Sequence, residues 1–136
     1  MKVFIDTNIW VYAYDTAEPQ KRDAALRALE DLTDDSTVVS AQVLNEFFAV
    51  VTRKLAHPLD RSEAAAAVEM MSALTVVPTD ASIVQEAIEL AERWSLSHWD
   101  ALIVAAARRG RCQRILSEDL AAGSTIDGIE VVNPLL

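Results

Sequence analysis

The chain of 136 residues has one cysteine, three glycines and four prolines. Cys112 alone cannot close an internal disulfide, so nothing asks for an oxidising compartment. It also excludes a four-cysteine zinc site and a CxxC redox pair. So little glycine and proline rules out collagen-like and low-complexity chains. Long apolar runs are missing too. The N-terminal run Val3-Phe4-Ile5 stops at Asp6, too short for the core of a signal peptide. Ala101–Ala107 is far below the roughly 18 residues of a membrane span. The expectation is a soluble, cytoplasmic protein that does not meet a membrane.

Positive charge is scarce as well: 12 basic residues face 21 acidic ones, for a net −9. Taken alone, this balance argues against nucleic-acid binding, which draws on lysines and arginines displacing counterions. A negative total can also conceal a functional cluster of carboxylates. Hydrophobic residues at 51% and charged residues at 24% describe an ordinary globular chain rather than a disordered one. No repeat, linker or composition break appears, so residues 1–136 read as one domain.

Lys2–Ile5, Thr37–Ser40, Thr75–Val77, Arg114–Leu116 and Ile129–Val132 are short β-prone runs and read as five strands. Between them lie helical patterns: Asn8–Tyr14, a helix from Pro19 through Leu32, Ala41–Leu55, and a helix capped by Asp60 with Glu63. Two more follow, one opened by Thr79 or Asp80, the other capped by Ser97 and closed by Gly110. Strands alternating with helices predict an α/β fold, and pairs of helices between strands suggest a three-layer αβα sandwich with a mainly parallel sheet.

In such sheets ligands bind beyond the carboxyl ends of the strands. Asp6 ends the first strand, and Ser117-Glu118-Asp119 follows the fourth. Glu46 stands about 40° from Val50 and about 60° from Val43 on its helix, at the border of the apolar face. Asp100 lies in the first turn of the helix after Ser97. Each acid has a plainer use: Asp6 as a strand terminator, Glu46 as a solvated helix residue, Asp100 as part of a capping box, Asp119 as a loop acid. Together they fall where they could converge.

Clustered carboxylates raise one another's pKa unless cations lie between them. Oxygen donors select Mg²⁺ or Mn²⁺ over zinc, and His57 and His98 are too isolated to offer a competing ligand set. His98 reads as a rim residue. Two such ions, about 3.5–4 Å apart, can activate water and stabilise the leaving oxygen of a phosphodiester. Setting four site acids aside leaves a charge of about −5, and two divalent ions would bring the whole to about −1. Arg108, Arg109, Arg111 and Arg114 then either meet phosphates or form a solvated helix end.

The segments Val3-Phe4-Ile5-Asp6-Thr7-Asn8, Ser40–Glu46, Ser97–Ile103, Ile115–Leu120 and Val132-Asn133-Pro134, in this order and spacing, resemble a PIN-domain protein of the VapC toxin type. The resemblance covers nearly the whole chain. It implies a Mg²⁺- or Mn²⁺-dependent endoribonuclease, hydrolysing in line to leave a 5′-phosphate and a 3′-hydroxyl. Asp6, Glu46, Asp100 and Asp119 resemble the family's catalytic and metal-binding acids, with Glu46 binding directly or through water. Thr7, Asn8 and Ser117 match orienting positions. The family's Ser/Thr-x-Asp pattern favours Asp119 over its neighbour Glu118.

The resemblance further implies a homodimer and a cognate antitoxin that blocks the site, with DNA met only through the antitoxin. The stretch Ile9-Trp10-Val11-Tyr12 with Tyr14 is either an antitoxin surface or ordinary core. An aspartyl-phosphate phosphatase would want an acid where Asn8 stands, and it and a receiver domain both want a late lysine that the chain lacks. The stronger rival is a non-catalytic PIN-like module that binds RNA or protein.

Overall fold

A computed structural model describes all 136 residues. Six strands form one sheet in the order β3-β2-β1-β4-β6-β5, where β1 is Val3–Ile5, β2 Thr37–Ser40, β3 Thr75–Val77, β4 Arg114–Leu116, β5 Thr125–Ile126 and β6 Ile129–Val132. All pairings are parallel except β5 with β6. The helices are α1 (Thr7–Tyr12), α2 (Pro19–Glu30), α3 (Ala41–Arg53), α4 (Arg61–Ser72), α5 (Ala81–Trp94) and α6 (His98–Arg109), with a 3₁₀ turn at Asp34–Ser36. They flank the sheet as the three-layer αβα arrangement predicts. No helix is long and apolar enough to cross a membrane.

Side chains alternate across the strands and supply two cores. Val3, Ile5 and Leu116 point to one face, where Ile9, Ala13 and Ala25 from α1 and α2 meet them. Phe4, Ile115 and Val131 join the larger core with α3, α4, α5 and α6. Seven consecutive residues of α6, Ala101–Ala107, are buried. A helix apolar all round must be enclosed on every side, and four alanines in this run let its neighbours approach closely.

Local chemistry accounts for most boundaries. Asp6, Ser40, Asp60, Asp80 and Ser97 each accept a backbone N–H as helix N-caps, and Asp60 with Glu63 completes a capping box. Pro19 opens α2.

Three expectations change. The first helix starts at Thr7, because Asp6 is both the end of the strand and the cap. Gly110 closes α6 as expected, but with φ −77°, and the left-handed residue is Arg111. Glycine is needed there for space, since a Cβ would lie 2.8 Å from Val38 Cγ1. The sixth strand is β5, which turns back onto β6 through Asp127-Gly128, both with positive φ. An Asp-Gly pair is a strong two-residue hairpin signal, and strands this short escape a search for apolar runs.

The topology fixes where a ligand fits. From β1 the chain builds outward through β2 and β3, then returns to place β4 on the other side of β1. The crevice beyond the carboxyl ends of β1 and β4 is therefore the switch point of the sheet. Ile5 and Leu116 pair there in register, and the Asp6 N–H donates to the Leu116 carbonyl at 2.9 Å.

Candidate active site

A cleft of about 490 Å³ opens at this switch point, and Asp6, Glu46, Asp100 and Asp119 all line it. They come from the start of α1, the second turn of α3, the first turn of α6 and the loop after β4. Thr7, Asn8 and Glu118 share the wall.

Asp6 is the most deeply held, at 8% exposure. The Thr7 N–H donates to Oδ1 and the Ser117 hydroxyl to Oδ2, both at 2.7 Å. Burial nevertheless raises its pKa to about 6; the two hydrogen bonds oppose the shift, while Glu46 and Asp100 add to it. Ser117 is fully buried, and its oxygen also accepts the N–H groups of Asp119 and Leu120 at 3.2 and 3.1 Å. One hydroxyl thus orients Asp6 and shapes the turn that carries Asp119.

Asn8 joins the same turn from α1. Its Nδ2 donates to Asp119 Oδ2 at 3.2 Å, and its Oδ1 accepts the Glu118 N–H at 3.1 Å. Glu118 itself is engaged elsewhere, accepting from Lys21 Nζ at 2.7 Å. Burial pushes its carboxyl up, but the hydrogen bonds of Lys21 and Tyr12 outweigh this and hold it below the ordinary range. Of the two neighbouring acids, Asp119 is the one without a cation.

Glu46 is exposed and Asp100 half-buried. The Asp100 N–H is taken by the Ser97 cap at 3.1 Å, and its carboxylate reciprocates no capping-box bond. None of the four acids forms an ion pair with a basic residue. Nor do any three of them, as their side chains stand, come close enough to grip one ion together. The donor set still suits a hard divalent cation: six carboxylates line one cleft, five of them (Asp15 as well as the four named acids) without a basic partner, and the buried Thr7 hydroxyl in its wall meets no partner in the chain.

The basic run does not reach the cleft as four free cations. Arg108 pairs with Glu86 and Asp127, Arg109 with Asp80, and Arg114 with Glu130. His98 is exposed and packs edge-on against Trp99, so it is a rim residue. The aromatic stretch of α1 divides. Ile9 and Val11 are core, Tyr12 lines the cleft, and Trp10 and Tyr14 line a separate apolar groove with Leu29, Leu32 and Met70. Sequence reasoning missed Lys21 and Trp99 in this neighbourhood. Lys21 lies in a helix with no spacing that ties it to a later strand end, and Trp99 stands in the sequence only as the neighbour of Asp100.

The PIN domain family model matches residues 3–122, and the chain belongs to that family. Its fold is also that of chains in several solved structures. The Mycobacterium tuberculosis toxin VapC20, described as cleaving the sarcin-ricin loop, superposes with a TM-score of 0.71 at 22% identity, covering 87% of this chain and 90% of that one. A chain of a Klebsiella pneumoniae toxin–antitoxin complex gives 0.73 at 20% identity, covering 98% of both. One from Rickettsia felis VapBC2 bound to promoter DNA gives 0.67 at 20%, covering 96% and 97%. No curated protein sequence matches.

Proposed function

We propose that this chain is a metal-dependent endoribonuclease and the toxin of a toxin–antitoxin pair. Membership of the PIN family implies a nuclease. The observation that carries the reading is the meeting of Asp6, Glu46, Asp100 and Asp119, far apart in sequence, in one cleft with no cationic partner.

Asp6, Asp100 and Asp119 would hold a Mg²⁺ or Mn²⁺ ion, with Glu46 joining directly or through water. Such an ion supplies a Lewis acid and a more acidic water beside a phosphodiester. The chain's own residues set the stage. Ser117 and the Thr7 N–H fix both oxygens of Asp6, so its carboxylate needs no reorganisation. Asn8 holds Asp119 to the same turn. Glu118, in the same wall, is held by Lys21 and so is not a free ligand.

The toxin role draws on the neighbours, which include toxin–antitoxin complexes. A cognate antitoxin is therefore the expected protein partner, and the groove beside Trp10 and Tyr14 is its candidate dock, lined by eight hydrophobic residues of ten. The toxin would act as a homodimer and meet DNA only through the antitoxin.

The deciding assay incubates purified, antitoxin-free protein with total cellular RNA in Mg²⁺, Mn²⁺ or EDTA, beside Asp6→Asn. Discrete fragments that require metal and vanish in the variant are the expected result. If folded protein with bound metal cleaves no RNA, the reading passes to a non-catalytic binding module.

A further inference from the structure

The acidic cleft has a neighbour. A second cavity, also about 490 Å³, lies beside it and is lined by Gln42, Asn45, Glu46, Thr79, Trp99 and Leu102. Gln42, Glu46 and Trp99 belong to both. We propose that this cavity is a nucleobase subsite, in which Trp99 stacks on an unpaired base of an RNA strand whose scissile phosphate lies over the acids. This rests on the nuclease reading above.

Trp99 is 66% exposed, although an indole is among the most favourable side chains to bury. It is not loose surface: it directly precedes Asp100 on a helix whose next seven residues are all buried. His98 meets it edge-on, with ring centroids 5.5 Å apart and planes at 72°. A contact of that kind braces the indole and cannot cover both of its faces.

The rest of the cavity supplies what a base edge needs. The Gln42 Nε2 reaches the Trp99 carbonyl at 3.4 Å, and Asn45 Nδ2 donates to the Ala41 carbonyl at 3.0 Å. The amide oxygens of both side chains accept nothing within the chain and are free for the exocyclic amine of a base. Leu102 gives the cavity an apolar side.

Charge favours such a subsite. The chain is at net −9, and no lysine or arginine lines either cavity, so a strand crossing them meets no basic side chain there. Stacking does not depend on charge, and sequence-specific recognition of RNA favours splayed single-stranded bases on aromatic side chains.

The test pairs cleavage with binding, using short oligoadenylate, oligocytidylate and oligouridylate. Cleavage in Mn²⁺ is measured for wild type, Trp99→Ala, Trp99→Phe and Asn45→Ala; binding is read in Ca²⁺ from quenching of tryptophan fluorescence. The expected result is a KM raised about five- to a hundredfold in Trp99→Ala, the range that base stacking gives. The change in kcat should be far smaller, and Trp99→Phe should recover most of the KM. Asn45→Ala should change the order of preference among the three oligonucleotides. Saturable quenching in wild type should be lost in Trp99→Phe.

Cleavage with a KM within about twofold of wild type in Trp99→Ala overturns the subsite and leaves the nuclease standing. Quenching that depends on Trp99 in a protein that cleaves nothing overturns the nuclease and keeps the subsite. Neither cleavage nor quenching overturns both.

Discussion

Two groups of acids in this protein live under opposite conditions. Around the C-terminal end of α6, Asp80, Glu86 and Asp127 each sit beside an arginine. At the other end of the same helix, Asp6, Glu46, Asp100 and Asp119 face one cleft with no basic partner. The chain has 12 basic residues for 21 acids, so pairing had to be selective. The four cleft acids are among those left unpaired, although they share one cavity. Folding alone would not favour this, because a buried carboxylate without a counterion, Asp6 above all, is costly to ionise. An electrostatic debt left at a sheet's switch point points to a ligand that arrives with positive charge.

The sharpest way to break this contrast is to neutralise one acid from each group. Asp6→Asn or Asp100→Asn should reduce RNA cleavage at least about a hundredfold, since losing several kcal/mol of charge stabilisation is worth a tenfold per 1.4 kcal/mol. Glu86→Gln should leave the rate within about twofold, because a partly exposed surface pair contributes little. Fragment yield against time for the three variants reads both. A tenfold or smaller drop in both Asp6→Asn and Asp100→Asn would sink the metal-site reading.

Much of this is legible in the sequence alone. The strand that stops at Asp6 and the Ser97 cap before Asp100 are local signals, and local chemistry reproduced them. All four acids could be named because each begins or ends an element or borders an apolar face. What stayed hidden depends on contacts between distant segments. The Lys21–Glu118 pair spans 97 residues, and no spacing rule reaches it. The pairing of Arg108 with Asp127 hangs on a hairpin of two short strands. Gly110 ends α6, as the sequence indicates, and only the position of Val38 shows why the residue there lacks a Cβ.

Packing rather than charge should dominate the stability of the paired end. Gly110→Ala would drive a Cβ to 2.8 Å from Val38 Cγ1, and its backbone allows alanine without strain. Overpacking of this kind destabilises by about 1–3 kcal/mol. Urea denaturation at pH 7 measures it. An unchanged midpoint would show that β2 yields at no expense.

A somewhat smaller effect of opposite sign belongs to the cleft. With its pKa raised to about 6 from 3.8, folded Asp6 holds its proton more tightly than the unfolded chain does. Its contribution is therefore greatest below the unfolded value and is lost as pH rises through about 6. Metal-free Asp6→Asn should be more stable than wild type at pH 7.5. The two-unit shift is worth about 3 kcal/mol, and replacing hydrogen bonds to a carboxylate takes back about 1–2. A net gain near 1–2 kcal/mol is expected, shrinking to nothing or reversing by pH 4. Divalent ions should raise the melting temperature of wild type and not of the variant. A wild type that outlasts Asp6→Asn at pH 7.5 without metal would remove the debt on which the contrast rests.

The smallest effect tests the other member of the comparison. Arg108 reaches both Glu86 at 3.4 Å and Asp127 at 3.3 Å, and its side chain is half exposed. Exposed pairs are screened and pay for the ordering of long side chains. Arg108→Ala should therefore destabilise by less than about 1 kcal/mol, and less still in 0.5 M salt. A loss above 2 kcal/mol, unaffected by salt, would mean that the arginine closes the β5–β6 hairpin onto α6. The paired end would then depend on its charges as much as the cleft depends on a missing one.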